Sequence, residues 1–428
     1  MAMEIDTAAA EAALRELVAI RSVKGGGGEA AAAGWVQDYL AKRGIASEIL
    51  CKDPARPNVL ARLGPAGGAD PLVLISHIDV VDADEARWSH PPFSADVADG
   101  RIWGRGTLDT KHLTVMELAA FAALKAREGE LRRPVWLLAT VDEECGSEYG
   151  MAEVRRRRPE VFKNAVVINE GGGFPLRIHG RDYMTVTVGE KGVCKVRLTA
   201  EGRGGHASSP GPCEEQAVQK LAAAVHRMFA GTEALTAGAC LRPLIEQAIG
   251  TDAPDSPVAR AIWTYAGENS VTMRDYQIGE RSNVLPARAG TTVEFRVLPG
   301  VKAADVERYA AACCEGLGVA VQVESFEPGF LADVDSPEFA RFTGALRKAC
   351  AARGMPCGVM PMLAFGRTDG RFFGAGAKAV YGCSPLLMGD SFDEILPKVH
   401  GDDESILQQS FAFGCRVLAD VVDAELAG

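Results

Sequence analysis

The sequence of 428 residues contains no apolar run near the ~18–20 residues that cross a bilayer, so a membrane-spanning helix is not expected. It has no excess of positive charge. Against 46 Lys and Arg stand 57 Asp and Glu, and the formal charge of −11 argues against a general affinity for nucleic acid. The basic run Arg155–Arg158 reads as a solvated helix face or end. None of the 11 cysteines forms a CxxC pair, and their odd number speaks against a disulfide framework. Reduced thiols and a cytoplasmic location are the expectation. The stretch MAMEIDTAAAEAALRELVAI has no basic segment ahead of an apolar one and does not read as a secretory signal.

The composition, 47% hydrophobic and 24% charged, is that of a globular chain too long for one compact core. Residues 7–20 and Glu29–Arg43 carry helical spacing, separated by the glycine turn Gly25–Gly28. Apolar strands then alternate with helical patterns. Strands are expected at Asn58–Leu63, Leu72–Ser76, Pro134–Thr140 and Ala165–Ile168, and helices at Leu113–Arg127 and Met151–Arg157. That alternation predicts an α/β fold, a mostly parallel sheet covered by helices on both faces. The rhythm changes after Gly192. Strand Val193–Ala200, helix Glu214–Phe229, strands near Ser270–Tyr276 and Thr291–Val297, helix Ala303–Leu317 and strand Val319–Phe326 spell a small α+β sandwich. Residues 191–330 therefore read as a domain inserted between 1–190 and 331–428, where helix Pro337–Ala352 resumes the α/β pattern.

Open α/β sheets bind ligands beyond the carboxyl ends of their strands. LVLISHIDVV ends in His77 and Asp79, LLATVDEE in Glu143 and Glu144, and AVVINEGGG in Glu170 followed by three glycines that admit close backbone approach. Asp109 sits between a glycine-bracketed turn and a helix, and LPKVHGDDES carries His400. Singly, each has an ordinary explanation: a structural histidine, a helix cap, a solvated turn. Together, two imidazoles and five carboxylates form the ligand set of a pair of divalent cations, because burying so many acids without cations is costly.

The stretches SHIDVV, WGRGTLDTK, DEE, NEGG, GGHASSP, SNVLP, FRVLPG, FGRTDGR and HGDDE occur in this order. In them the chain resembles the zinc-dependent aminoacylase/carboxypeptidase family, which includes aminoacylases, acetylornithine deacetylase, succinyl-diaminopimelate desuccinylase and glutamate carboxypeptidase. The resemblance covers nearly the whole chain, and VINEGG places it nearest the aminoacylase and vacuolar-carboxypeptidase branch. It implies two divalent ions, zinc foremost with manganese or cobalt as alternatives. His77 and Glu170 would hold one, Glu144 and His400 the other, and Asp109 would bridge them. Asp79 would accept the spare N–H of His77, and Glu143 would be the general base for a metal-bound hydroxide attacking an amide carbonyl. Asp142 is left as a solvated residue or local cap. The resemblance further implies that residues 191–330 form a ferredoxin-like dimerisation (lid) domain of a homodimer. Its His206 would reach the partner subunit's active site to stabilise the oxyanion. Asn283 would join it on the substrate carboxylate, with Arg371 as a guanidinium clamp and Arg296 and Arg367 as alternatives. His90 reads as packing or as part of the substrate rim. His112 stands where the family has a small residue, either facing solvent or narrowing the pocket, and Cys145 reads as a small buried residue, with a soft-metal ligand as the alternative. The expected substrate is an N-acyl amino acid or small peptide with a free carboxylate. One alternative is an aminohydrolase releasing ammonia from a carboxylated aromatic or heterocyclic amine, for which GVMPMLAFGRTDGRFF leaves room for an apolar pocket. A second is a non-catalytic, metal-stabilised binding protein.

Overall fold

The apolar run at Leu72 becomes a strand whose every residue is buried, which is what a parallel strand covered on both faces requires. The computed structural model describes all residues except 1, 2, 25, 26, 68, 236, 237, 279–281 and 428, and only the backbone of residue 375. Two glycines of the Gly25–Gly28 turn thus lie outside the described residues. The described chain divides into two compact units. One comprises Met1–Val188, Leu244–Ile262 and Ala332–Gly428, and the other Gly189–Pro243 and Trp263–Leu331.

In the larger unit the main strands are β1 (Ser47–Leu50), β2 (Asn58–Leu63), β3 (Leu72–His77), β4 (Val135–Thr140), β5 (Val166–Asn169) and β6 (from Arg181). A later strand, Ala379–Gly382, completes the order β1-β2-β4-β3-β5-(Ala379–Gly382)-β6. The centre is parallel: β4 with β3, β3 with β5, and β5 with Ala379–Gly382. Antiparallel strands flank it at both sides, β2 against β4 and β6 against Gly382. The sheet is therefore mixed with a parallel core. The helix Lys111–Lys125 packs on β3 and β4, and Thr7–Val18 and Gln408–Ala427 pack on that helix. Helix Thr7–Val18 starts where the Asp6 carboxylate accepts from the N–H groups of Ala8 and Ala9. It turns Leu14, Leu17 and Val18 inward with complete burial.

The smaller unit has a four-stranded antiparallel sheet in the order Ser270–Met273, Arg288–Val297, Gly192–Glu201, Val319–Glu327. Helices Ala217–Ala230 and Ala303–Cys314 pack on it. This is the ferredoxin-like arrangement of strands and helices. The stretch Leu244–Ile262, within the expected insertion of 191–330, groups with the larger unit. Its ties there are polar: Ser256 Oγ donates to Asp393 at 2.9 and 3.0 Å, and the N–H of His179 donates to Asp255 at 2.9 Å.

Candidate metal centre

Three parallel strands end side by side, and each delivers acid or imidazole groups at its carboxyl end. His77 is the last residue of β3, the Asp142–Glu144 turn follows β4, and Glu170 follows β5. The register pairs His77 with Thr140, so the two strand ends are level. Behind Glu170 the backbone is crowded. A Cβ on Gly172 would lie 2.4 Å from the Gly382 carbonyl oxygen, and Gly173 has φ +85° with Ser384 backbone 2.3 Å from a would-be Cβ. Asp109 precedes the helix at Lys111, and its peptide bond to Thr110 is cis.

Asp109 lies between the two histidines. Its Oδ1 is 3.1 Å from His77 Nε2 and its Oδ2 is 3.0 Å from His400 Nε2. His77 Nε2 is also 3.3 Å from Glu170 Oε2, and His400 Nε2 is 3.1 Å from Glu144 Oε2. Ligand-type atoms of His77, Asp109 and Glu144 fall within 4.8 Å of one another, as do those of His77, Glu143 and Glu170. This donor set, imidazole nitrogen with carboxylate oxygen, suits divalent cations of the zinc or manganese kind. One carboxylate with an oxygen toward each of two imidazoles suits a pair of them.

The model of peptidase family M20/M25/M40 matches residues 73–424 of this chain, a span that contains every one of these groups. The chain belongs to peptidase family M20/M25/M40. Aminoacylase-1 of Sus scrofa is 25% identical over 419 residues, covering 96% of this chain and 93% of the relative. N-fatty-acyl-amino acid synthase/hydrolase PM20D1 of Xenopus tropicalis is 27% identical over 365 residues, 79% of this chain and 69% of the relative. Among solved structures, an M20 family metallo-carboxypeptidase from Sulfolobus solfataricus superposes with a TM-score of 0.73 at 19% identity, covering 98% of this chain and 99% of the other. The protein is accordingly a metallohydrolase acting on C–N bonds.

The electrostatics of this M20 site follow from burial. Desolvation pushes Glu143 well above the usual carboxylate range, with the Glu170 charge adding to it, and raises Glu170 itself. Burial disfavours the charge on His77, yet the Glu170 and Asp109 carboxylates hold its pKa well above the ordinary range. Bonds to Asp109 and Glu144 push His400 up to about 10. Asp109 is driven the other way: burial opposes, but its bonds to His400 and His77 hold it far below normal. The cluster thus calls for positive charge, which bound cations would supply.

Several residues sit differently from expectation. His77 Nδ1 donates to the backbone carbonyl of Asp79 at 2.9 Å, whereas the Asp79 carboxylate is 3.6 Å away. The carbonyl therefore sets the tautomer that turns Nε2 toward the cluster. The Asp79 side chain instead accepts from the N–H groups of Glu143 and Glu144, at 3.3 Å each, and burial raises its pKa to about 7. Asp142 is not solvated. It is 2% exposed, takes Nη2 of Arg56 at 2.6 Å, and Arg56 also binds Glu29 at 2.8 Å. Its left-handed backbone (φ 66°) turns the three acids in different directions. His112 does not face solvent. It is fully buried, neither ring nitrogen has a hydrogen-bond partner among the described residues, and burial lowers its pKa to about 3. Cys145 is exposed rather than buried, because it ends a single short turn at the rim. GVMPMLA is a strand with Met360, Met362, Leu363 and Ala364 buried, so its apolar residues serve the core. His90 stacks on Trp103 at 4.6 Å, as packing requires.

Arg371 meets Glu143, with Nη1 3.5 Å from Oε1, and donates to Ser147 Oγ at 3.1 Å. Ser147 Oγ in turn donates to Asp369. Arg296 pairs with Glu294 at 2.9 Å. In the smaller unit His206 is exposed on a two-residue strand facing Val284, and the N–H of Ala207 donates to the carbonyl of Asn283 at 3.0 Å, so His206 and Asn283 are neighbours. One organising residue was not singled out from the sequence. Glu404 is fully buried, and its Oε1 accepts from Gly106, Leu108 and Asp109 N–H at 3.1, 2.6 and 3.1 Å. Its Oε2 takes Arg105 Nη1 at 2.7 Å, and Arg105 Nη2 donates to the Gly401 carbonyl at 2.7 Å. This lock joins the loop of Asp109 to the loop of His400. The available signal was an arginine and a glutamate flanking the two ligand motifs, WGRGTLD and HGDDE.

Proposed function

We propose that the protein hydrolyses the amide bond of an N-acyl amino acid or small peptide bearing a free carboxylate. The observation that carries this is the placement of Asp109, with one oxygen toward His77 and the other toward His400. His77 with Glu170 and His400 with Glu144 would each hold one divalent ion, zinc foremost, with Asp109 shared between them. Bound cations of this kind supply Lewis acidity, lowering the pKa of water and polarising a carbonyl. Glu143 accepts the proton of the attacking water and returns it to the leaving nitrogen, a task for a buried carboxyl whose pKa desolvation raises above the ordinary range. Arg371, 3.5 Å from it, favours its ionised, proton-accepting form and leaves that side of the pocket attractive to a carboxylate. Asp79 holds the turn that aims Glu143 and Glu144 in different directions.

The smaller unit is proposed to be the lid and dimerisation domain, residues 191–330 in the sequence reading. His206 would donate to the oxyanion in the partner subunit, and Asn283 would bind the substrate carboxylate. Four exposed large apolar side chains, Phe229, Tyr276, Ile278 and Val284, all lie in this unit and support a homodimer. Eleven free cysteines support a cytoplasmic location. The test is a screen of the metal-loaded protein over N-acyl amino acids, dipeptides and carboxylated aromatic amines, with metal analysis before and after chelation. Carboxylate release from the acylated substrates, lost on chelation and restored by metal, is the expected result. Ammonia release from aromatic amines with no amide cleavage would sink the reading.

A further inference from the structure

The chain between Thr140 and Ser147 carries Glu143 and Glu144, and one buried carboxylate holds both of its ends. Asp369 is 1% exposed. Its Oδ2 accepts from Thr140 Oγ1 at 2.7 Å, at the last residue of β4, and its Oδ1 accepts from Ser147 Oγ. Asp369 is itself fixed by the short turn Asp369–Phe372. There Thr368 Oγ1 accepts from the N–H of Gly370 at 3.1 Å and from Asn169 Nδ2 at 2.7 Å, and Asn169 directly precedes Glu170. Ser147 is fully buried with left-handed backbone (φ 62°), and its N–H donates to the Asp142 carbonyl at 2.6 Å. A carboxylate can only accept and a guanidinium can only donate. The Ser147 hydroxyl therefore gives its hydrogen to Asp369 and receives Arg371 Nη2 at 3.1 Å. Nη1 of the same guanidinium lies 3.5 Å from Glu143 Oε1. We propose that Asp369 is a positioning residue for the reaction, clasping both ends of the Glu143 turn and, through Ser147, setting Arg371 against Glu143.

This builds on the reading of Glu143 as the base. A group that moves a proton must be held close to its productive position, and a small misplacement is costly in rate. Asp79 holds the turn from its backbone side, through the N–H groups of Glu143 and Glu144. Asp369 holds it from its two flanking hydroxyls. Without Asp369, Arg371 keeps its bond to the Thr368 carbonyl at 2.7 Å and its place over the Phe372 ring, so a substrate carboxylate still finds it. Glu144 likewise keeps its Asp79 anchor. The loss therefore belongs to the chemical step rather than to binding. The conservative change Asp369→Asn preserves both clasps. Its amide oxygen can accept from Ser147, and its amide nitrogen can donate to Thr140, whose hydroxyl then turns to the Ser76 carbonyl 3.3 Å away.

The wild type, Asp369→Ala, Asp369→Asn and Ser147→Ala are compared as metal-loaded, full-length proteins. Three readouts are taken: steady-state kinetics on an N-acetyl amino acid that the wild type cleaves, elemental analysis, and hydrogen–deuterium exchange. Asp369→Ala should lower kcat roughly 10²-fold, with KM nearly unchanged and the metal retained. Ser147→Ala should move the same way, and Asp369→Asn should recover most of the loss. The N–H groups of Cys145, Gly146 and Ser147, which donate to the Asp142 and Glu143 carbonyls, should exchange faster in both alanine variants, while the rest of the chain keeps its wild-type rates. A loss carried by KM alone, a fall in kcat accompanied by loss of metal, or wild-type exchange in the turn overturns the proposal. So does wild-type kcat in the alanine variants. Should Asp369→Ala fail to fold, Ser147→Ala decides. Should the wild type cleave no amide, the reaction assigned above is what fails, and exchange in the turn alone decides whether Asp369 holds it.

Discussion

At the scale of single residues, adjacent acids take unlike roles because backbone conformation separates them. Asp142 turns back into a buried ion pair with Arg56, Glu144 reaches His400, and Glu143 meets Arg371. Glu143 also belongs to a cluster with His77 and Glu170 that has ligand spacing, so its role as base rather than ligand is open to direct measurement. Glu143→Ala is expected to lower kcat by roughly 10²–10⁴ while leaving bound metal unchanged. Loss of one metal equivalent in that variant, measured by elemental analysis, would reassign Glu143 as a ligand. The sequence showed that ligand-type groups gather at strand ends. It did not show that Asp142 is buried, since an isolated acid in a turn looks solvated until its distant partners Arg56 and Glu29 are known.

At the scale of elements, the parallel strands β3, β4 and β5 were legible because fully buried strands read as continuous apolar runs. Strand Arg181–Glu190 was not, since its buried residues include Thr185, Thr187 and Glu190, and polarity there hides burial. The Glu404 lock belongs to this scale. Replacing Glu404 with alanine removes acceptors for three backbone N–H groups and one guanidinium, and lets the Asp109 and His400 loops drift apart. Metal affinity is expected to fall roughly 10–100-fold, with partial rescue by Glu404→Gln and an unchanged far-ultraviolet spectrum. Equal affinity in titration calorimetry would exclude this positioning role. A second buried charge gives a pH signature. Lys191 donates to the Glu268 carbonyl at 2.5 Å over the Tyr265 ring, and burial lowers its pKa from 10.5 to about 8. Between those values the unfolded chain binds more protons than the folded one, so stability should rise with pH across the window and be flat in this term below it. Relative to Lys191→Met, the wild type should gain at most about 3 kcal/mol on going from pH 8 to 10.5. Urea melts of both proteins at the two ends would show it, and parallel pH curves would refute it.

At the scale of the whole molecule, the site concentrates negative charge that only the completed fold brings together. Chelation is therefore expected to lower the thermal midpoint, and readdition of zinc or manganese to restore it. The metal contributes about 2.7 kcal/mol when free metal stands at 100 times Kd. A midpoint indifferent to chelator and metal, followed by calorimetry, would mean that the cluster is stable without cations. By itself the sequence determined which side chains are available and at which strand ends they emerge, because hydrophobic periodicity and turn chemistry are local properties. Only the tertiary structure decided that His77 and His400 face opposite oxygens of one carboxylate, that the backbone carbonyl of Asp79 rather than its carboxylate sets the His77 tautomer, and that Glu404 joins the two ligand loops. Those are contacts between segments far apart along the chain, and their geometry is set by how strands register and loops pack, which no local pattern of residues encodes.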